Sequence, residues 1–350
     1  MRALLAILFC LLAGFAGAQT GRRVVLLSGV PGWVLRAGGA AANVDMNFAT
    51  GQYYGCSLAS CLSIVRASPK TNLLPSSPSG FAYTIFNANV PAIDSNGLLI
   101  EEARTNQLFN STALVTQTTG SLANGTYTLW VNGIGTATMS AGTATGCGTG
   151  VASQGVPVNF TTSGAAGTCT VTVAGTLQGN LELGAFGTSL IVTAGATATR
   201  AADNISVSDP ALSLLKNGSA GQVFLAMGGT NSTLFPVVIS ANGGPDLLEV
   251  QNSNTGLQFN GATSNVATFG SGTWAGLVKS ATSWTAGARA LVINNGTEAT
   301  SATTIYNGAG QTSFKFGSLS GTSRFYDGYI SRFAAWSAAT SAAGRKALTQ

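Results

Sequence analysis

The sequence contains no histidine. That absence removes the imidazole general base, the His-containing catalytic triad and His-ligated zinc together. Charge is scarce as well. Only 8% of the 350 residues are Asp, Glu, Lys or Arg, against roughly a quarter in an average soluble domain. Helix-rich folds draw heavily on Glu, Lys, Leu and Arg, so the shortage disfavours them. The net charge is +5, but basic residues are adjacent only at Arg22-Arg23 and Arg345-Lys346. A nucleic-acid interface gathers its cations on one face or stripe, and no nucleic-acid partner is expected here. Any catalysis would rest on carboxylates, Lys, Tyr or Cys.

Glycine is plentiful, with 46 residues, and 45% of the chain is apolar. That is enough apolar material for real cores, in a composition suited to short strands and tight turns. The chain opens with Arg2, an apolar run over residues 3–16, and Ala16-Gly17-Ala18 before Gln19. This charged start, short hydrophobic stretch and small-x-small site read as a secretory signal peptide over residues 1–18. The run is short for the ~20 residues a membrane helix needs, and no later segment qualifies.

Removal of Cys10 with the signal leaves Cys56, Cys61, Cys147 and Cys169. Four cysteines allow three pairings, and proximity in sequence favours Cys56–Cys61 and Cys147–Cys169. Neither pair has the spacing of a zinc knuckle or a redox motif, so structural disulfides of an exported protein are expected.

Residues 19–43 read as a linker or arm. Residues 44–111, with prolines at 69, 75, 78 and 91, read as an irregular N-terminal cap without long helices. Residues 112–203 show period-2 alternation broken by glycine, as where Tyr127, Leu129 and Val131 share one face. They are predicted to form a small β-sandwich. Residues 204–350 hold candidate strands at 222–227, 234–240, 247–251, 256–259, 274–279, 289–293, 312–316 and 326–336. Turn signals such as Asn260-Gly261 and Asn295-Gly296 fall between them. A second β-sandwich closed by a short helix within 338–350 follows. The fold class is therefore all-β: a cap, then two jelly-roll-like sandwiches.

The most distinctive string is Gly97-Leu98-Leu99-Ile100-Glu101-Glu102-Ala103-Arg104-Thr105-Asn106. Leu62-Ser63-Ile64-Val65-Arg66-Ala67-Ser68 precedes it and Thr199-Arg200-Ala201-Ala202-Asp203 follows. In this order the three resemble segments of bacteriophage and prophage head-spike and tail-fibre-like structural proteins, over about residues 44 to 206. The C-terminal run, through Tyr326, Asp327, Gly328, Tyr329, Ile330, Phe333 and Trp336, resembles a concanavalin A-like, laminin-G-like sandwich. The resemblance implies a virion-surface or adhesion role with sandwiches that engage glycans, or the exported product of a prophage-derived gene. It supplies no catalytic residues.

Adjacent Glu101 and Glu102 point to opposite faces of a strand and cannot form a catalytic pair with each other. Arg66, Arg104 and Arg200 are expected to pair with Glu101, Glu102 and Asp203 where the cap meets the first sandwich, fixing register. A hydrolase or lyase would instead assemble two carboxylates from Asp94, Glu101, Glu102, Glu182 and Asp203. Sugar binding uses aromatic faces with amide or carboxylate partners. Trp284, in a polar stretch, is the expected exposed platform. Trp274, Tyr306 with Asn307, and Tyr326 with Asp327 are further candidates, while Trp130 and Trp336 belong to cores. A calcium ion would draw on Asp246 and Asp327; otherwise no cofactor is implied. The expected partners are an extracellular glycan and a second copy of the chain or other virion proteins.

Overall fold

The computed structural model describes residues 29–350 except 76, 78–80, 229–236, 242–245, 251–256, 261–265, 270–276, 302–310, 320 and 322. The signal segment and the candidates Trp274, Tyr306 and Asn307 lie outside the described residues. Residues 29–35 are the described part of a first unit, in which the Val34 N–H donates to Pro31 O at 3.0 Å. The rest, Arg36–Gln350, is a second unit, and it is mostly β with three short helices among the described residues.

Two antiparallel sheets make the larger layer pair. One has nine strands, running Ala299–Ser301, Ala288–Ile293, Val278–Thr285, Ala220–Gly228, Gly328–Trp336, Val44–Asn47 and Gln52–Tyr54, with Gly97–Ile100 also on Gly328–Trp336 and Ile93–Asp94 beside it. The other has seven: Val266–Phe269, Leu257–Asn260, Asp246–Val250, Val237–Ala241, Phe314–Phe316, Asn204–Val207 and Leu62–Val65. Alternation puts Val223, Leu225 and Met227 of the first sheet, and Ile205, Val207, Phe314 and Phe316 of the second, into one buried core. Phe316 meets Phe333 edge to face at 5.0 Å between ring centres. The terminal helix Ala342–Leu348, capped by Ser341, packs on Val278–Thr285. Arg345 grips Glu298 through Nε at 2.7 Å and a terminal nitrogen at 2.9 Å.

The region expected to be a separate cap is instead part of this sandwich. Its strands Val44–Asn47 and Gly97–Ile100 pair with Gly328–Trp336, and Leu62–Val65 pairs with Asn204–Val207. The physical reason is burial. Val44, Met46, Leu98 and Ile100 are at most 1% exposed and have no core of their own between residues 44 and 111. The segment from Arg104 to Arg200 is thus inserted between two halves of one sandwich.

The insert also differs from a small two-sheet sandwich, its body being one five-stranded antiparallel sheet joined to the rest through a two-stranded ribbon. Strand Gly125–Ser140 pairs along its length with Thr170–Leu183, from Tyr127↔Leu183 to Ser140↔Thr170. Val158–Thr162 and Val151–Ser153 pair on the outer edge. Tyr127, Leu129, Val131, Leu177 and Leu181 are buried together, with Tyr127 stacked on Phe160 at 5.8 Å. Leu108 and Leu114, on an irregular stretch bonded to the sheet edge through Gln107 N→Leu181 O and Leu114 N→Leu177 O (both 2.8 Å), close the core in place of a second sheet. Gly135 and Gly175 face each other with φ of +129° and +110°. A side chain on either would drive into the opposing carbonyl at about 2 Å. The two disulfides are Cys56–Cys61 and Cys147–Cys169, the latter tying residues on either side of the insert's outer strands.

Candidate functional site

The three recognised strings meet where the insert leaves the sandwich. Strand Arg104–Asn106 pairs with Ala198–Arg200, which sets Arg104 directly opposite Arg200. Two adjacent guanidinium groups in a poorly hydrated place require carboxylates, and the neighbouring residues supply them. Arg66 donates to Asp203 Oδ1 at 2.8 Å and to the carbonyls of Ser68, Phe86, Asn87 and Val90. Arg200 lies 3.2 Å from Glu101 and donates to Ser189 Oγ and Glu102 O. Arg104 pairs with Glu102, and its guanidinium sits 4.7 Å above the Phe186 ring. Gly184, with φ of +138°, is where the chain passes this guanidinium, and a side chain there would collide with it.

Lys70 completes the cluster and was not legible in the sequence. Its three N–H groups meet Asp203 Oδ2 at 2.5 Å, Glu101 at 3.1 Å and Leu99 O at 2.9 Å. Lys70 and Asp203 are 2% or less exposed, as are Glu101, Arg66 and Arg200. Burial alone would raise the Glu101 carboxyl. Arg200, Lys70 and two hydrogen bonds from Ser189 overcome it and hold the group at about 2.

Between Arg104 and Arg200 the sequence has a single charged residue, Glu182. It is fully buried and satisfied by hydrogen bonds. Trp130 Nε1 (3.0 Å), Asn180 Nδ2 (2.9 Å), Thr188 N (3.0 Å) and Thr188 Oγ1 (2.5 Å) all donate to it. Asn106 joins this network through Asn180 Oδ1 at 2.9 Å. The hydrogen bonds lock residues 186–193 against both the sandwich and the insert.

A cavity of about 500 Å³ opens beside this junction. Leu99, Glu101, Asp327 and Tyr329 line it from the sandwich, and Thr128, Asn159, Phe186 and Thr188 from the insert. Phe186 is half-buried and Asn159 exposed, with its amide donating to Ala185 O at 2.9 Å. Asp327, only 6% exposed and with φ of +48°, accepts the Glu102 N–H at 2.8 Å through Oδ1. Burial first, and then the neighbouring Glu102, push its carboxyl up to about 8. The Tyr329 hydroxyl, on the same wall, donates to Asp94 at 3.0 Å. Apolar walls with a few convergent polar groups are the common form of a small-molecule site.

The aromatic candidates fall differently. Trp284 is 1% exposed and lies over Gly221, its Nε1 donating to Asn217 O at 2.6 Å. It is a core residue and no platform. Ser280 and Thr282 share its inward face, while Ala281 and Ser283 on the other face are buried as well. The strand has no wet face, and its flanking hydroxyls carry no information about exposure. Tyr326 is fully buried too, its hydroxyl 3.3 Å from Gly228 O, so only Asp327 of that pair reaches the cavity. Trp130 and Trp336 are buried. No group of three metal-ligating side chains occurs among the described residues. Phe186 and Asn159, which do line the cavity, lie in Gly- and Thr-rich stretches with no distinguishing local pattern.

No family model and no curated protein sequence matches the chain. Among solved structures, it is similar to the CBM40 of Ruminococcus gnavus IT-sialidase bound to alpha2,3 sialyllactose, at 16% identity and a TM-score of 0.34, over 40% of this chain and 88% of that one. The same CBM40 bound to alpha2,6 sialyllactose gives 16%, 0.33, 41% and 89%.

Proposed function

We propose that the chain is a non-catalytic surface protein that holds an extracellular glycan in the cleft between the inserted sheet and the sandwich. The observation that carries this reading is the cavity itself. It joins the half-buried ring of Phe186, suited to the apolar face of a sugar, to the amide of Asn159 and the carboxyl of Asp327. The two disulfides fit an oxidising compartment outside the cytoplasm. In its finer form the protein is carried on a virion surface or exported from a prophage-derived gene. Immunogold labelling of induced particles and of the cell surface distinguishes those destinations.

The non-catalytic reading is supported by how Glu101 is held. Both of its oxygens are engaged, by the Ser189 N–H and hydroxyl, Lys70 and Arg200. A carboxylate held this low by two cations is a weak base and a poor nucleophile. A glycan array with the full chain tests the reading. Binding to a defined set of oligosaccharides, weakened at least about tenfold by Phe186→Ala, supports it. A blank array at high protein concentration overturns it.

A glycan-active hydrolase or lyase is favoured by one observation, that Asp327 is held in its acid form beside Glu102. Such an enzyme releases reducing ends from a polysaccharide and loses that activity in Asp327→Asn. A binding protein releases none.

A further inference from the structure

The buried carboxylates around the cleft are richly supplied with donors. Asp203 takes three, from Arg66, Lys70 and the Glu101 N–H, and Glu182 takes four. Asp327 is as buried but receives one hydrogen bond, at Oδ1, and its Oδ2 has no partner among the described residues. That oxygen belongs to a residue of the cavity wall. The charged groups facing Asp327 are Glu101 and Glu102, both of like sign, and Arg104, which is committed to Glu102 and the Phe186 ring. Tyr329, on its own strand, is engaged with Asp94. A buried carboxylate so placed would be costly, whereas a carboxylic acid is not.

The rest of the lining sets the sign of the ligand. No Lys or Arg lines the cavity, and the insert contributes only neutral groups to it. A carboxylate-bearing sugar would find no Lys or Arg on the wall to pair with. A neutral sugar oxygen, by contrast, matches a donor at Asp327 and the second amide hydrogen of the exposed Asn159, whose first is given to Ala185 O.

We propose that Asp327 binds the ligand of this cleft as a hydrogen-bond donor through Oδ2–H, and so selects neutral, hydroxyl-rich sugars over carboxylate-bearing ones. This rests on the cleft being the glycan site. Burial, reinforced by Glu102, holds the acid form up to about pH 8. Binding therefore weakens on the alkaline side, as Oδ2 changes from donor to charged acceptor.

The test is calorimetric titration of the full chain with lactose, chitobiose and sialyllactose, near pH 6 and near pH 9.5. At least one neutral disaccharide is expected to bind near pH 6 and to weaken at least about tenfold near pH 9.5, with sialyllactose weaker than lactose throughout. Asp327→Asn keeps a donor and tolerates positive φ, so it retains binding and loses the pH dependence. Asp327→Ala loses binding at both values. Wild-type binding that is independent of pH, or a preference for sialyllactose, overturns the proposal. If none of the three sugars binds near pH 6, the glycan reading fails for them. Infrared difference spectra of wild type against Asp327→Asn then decide the state of Asp327 independently. A protonated carboxyl band near pH 6 that disappears around pH 8 supports the donor assignment, and a carboxylate near pH 6 overturns it.

Discussion

Replacing Lys70 with Met keeps most of the buried stem and removes only the ammonium group. The three acceptors it leaves are Asp203 Oδ2, Glu101 Oε2 and Leu99 O, at 2.5, 3.1 and 2.9 Å. Arg66 and Arg200 remain, each directed at one of the two carboxylates, so the charges still balance in pairs, but three buried acceptors lose their donor. Stripping the donor from three buried acceptors, two of them charged, costs about 3–5 kcal/mol. With a urea m-value of about 3 kcal/mol/M for a chain of this size, the unfolding midpoint falls by roughly 1–1.7 M. The double variant Lys70→Met with Glu101→Gln keeps an acceptor toward the Ser189 N–H and no longer calls for the Lys70 donor at that position. The two losses are therefore less than additive, with a coupling of about 1 kcal/mol or more in the double-mutant cycle. Urea unfolding followed by tryptophan fluorescence measures both. A midpoint shift below about 0.3 M for Lys70→Met would mean that water or relaxation already screens the cluster, and would refute the reasoning.

Glu101, held at about 2 against an ordinary 4.5, gives stability that is present above pH 4.5 and lost as pH falls through 2. This amounts to about 3 kcal/mol, and acid unfolding of Glu101→Gln should lack that component. Asp327 acts in the opposite direction. Raised from 3.8 to about 8, it gives stability present below pH 3.8 and lost as pH rises through 8, on the order of 5 kcal/mol. Asp327→Asn should melt higher than wild type near pH 9 and close to it near pH 4. Phe316→Ala removes the ring that meets Phe333 in the sandwich core and should cost about 3–5 kcal/mol in urea unfolding. Opening Cys147–Cys169, which spans 22 residues, with paired serines should cost about 3 kcal/mol. The five-residue span of Cys56–Cys61 should cost less, as paired thermal melts would show.

The strands of the C-terminal half were legible because alternation and Asn-Gly turns mark them. Ala220–Gly228, Ala288–Ile293 and Gly328–Trp336 fall where expected, as does the closing helix. The fold's connectivity was not legible. Val44–Asn47 and Gly97–Ile100 are strands of four residues each, and nothing local tells them that their partner lies more than 200 residues away at Gly328–Trp336. The arginine–carboxylate pairs could be anticipated from a chain so poor in charge, where each buried cation needs a partner. Lys70 could not, because it stands alone after Pro69 with no acid nearby in sequence. Trp284 misled because hydroxyl neighbours suggest exposure only in a strand with one wet face, and this strand is covered on both.

The cleft between insert and sandwich is tested most directly by a crystal structure of the full chain with an array-selected neutral oligosaccharide. The sugar ring is expected to lie against Phe186, with a ring or side-chain hydroxyl within hydrogen-bond distance of Asp327 Oδ2. Sugar bound elsewhere with this cleft empty, or a bound oligosaccharide cleaved between Asp327 and a second carboxyl group, would contradict it.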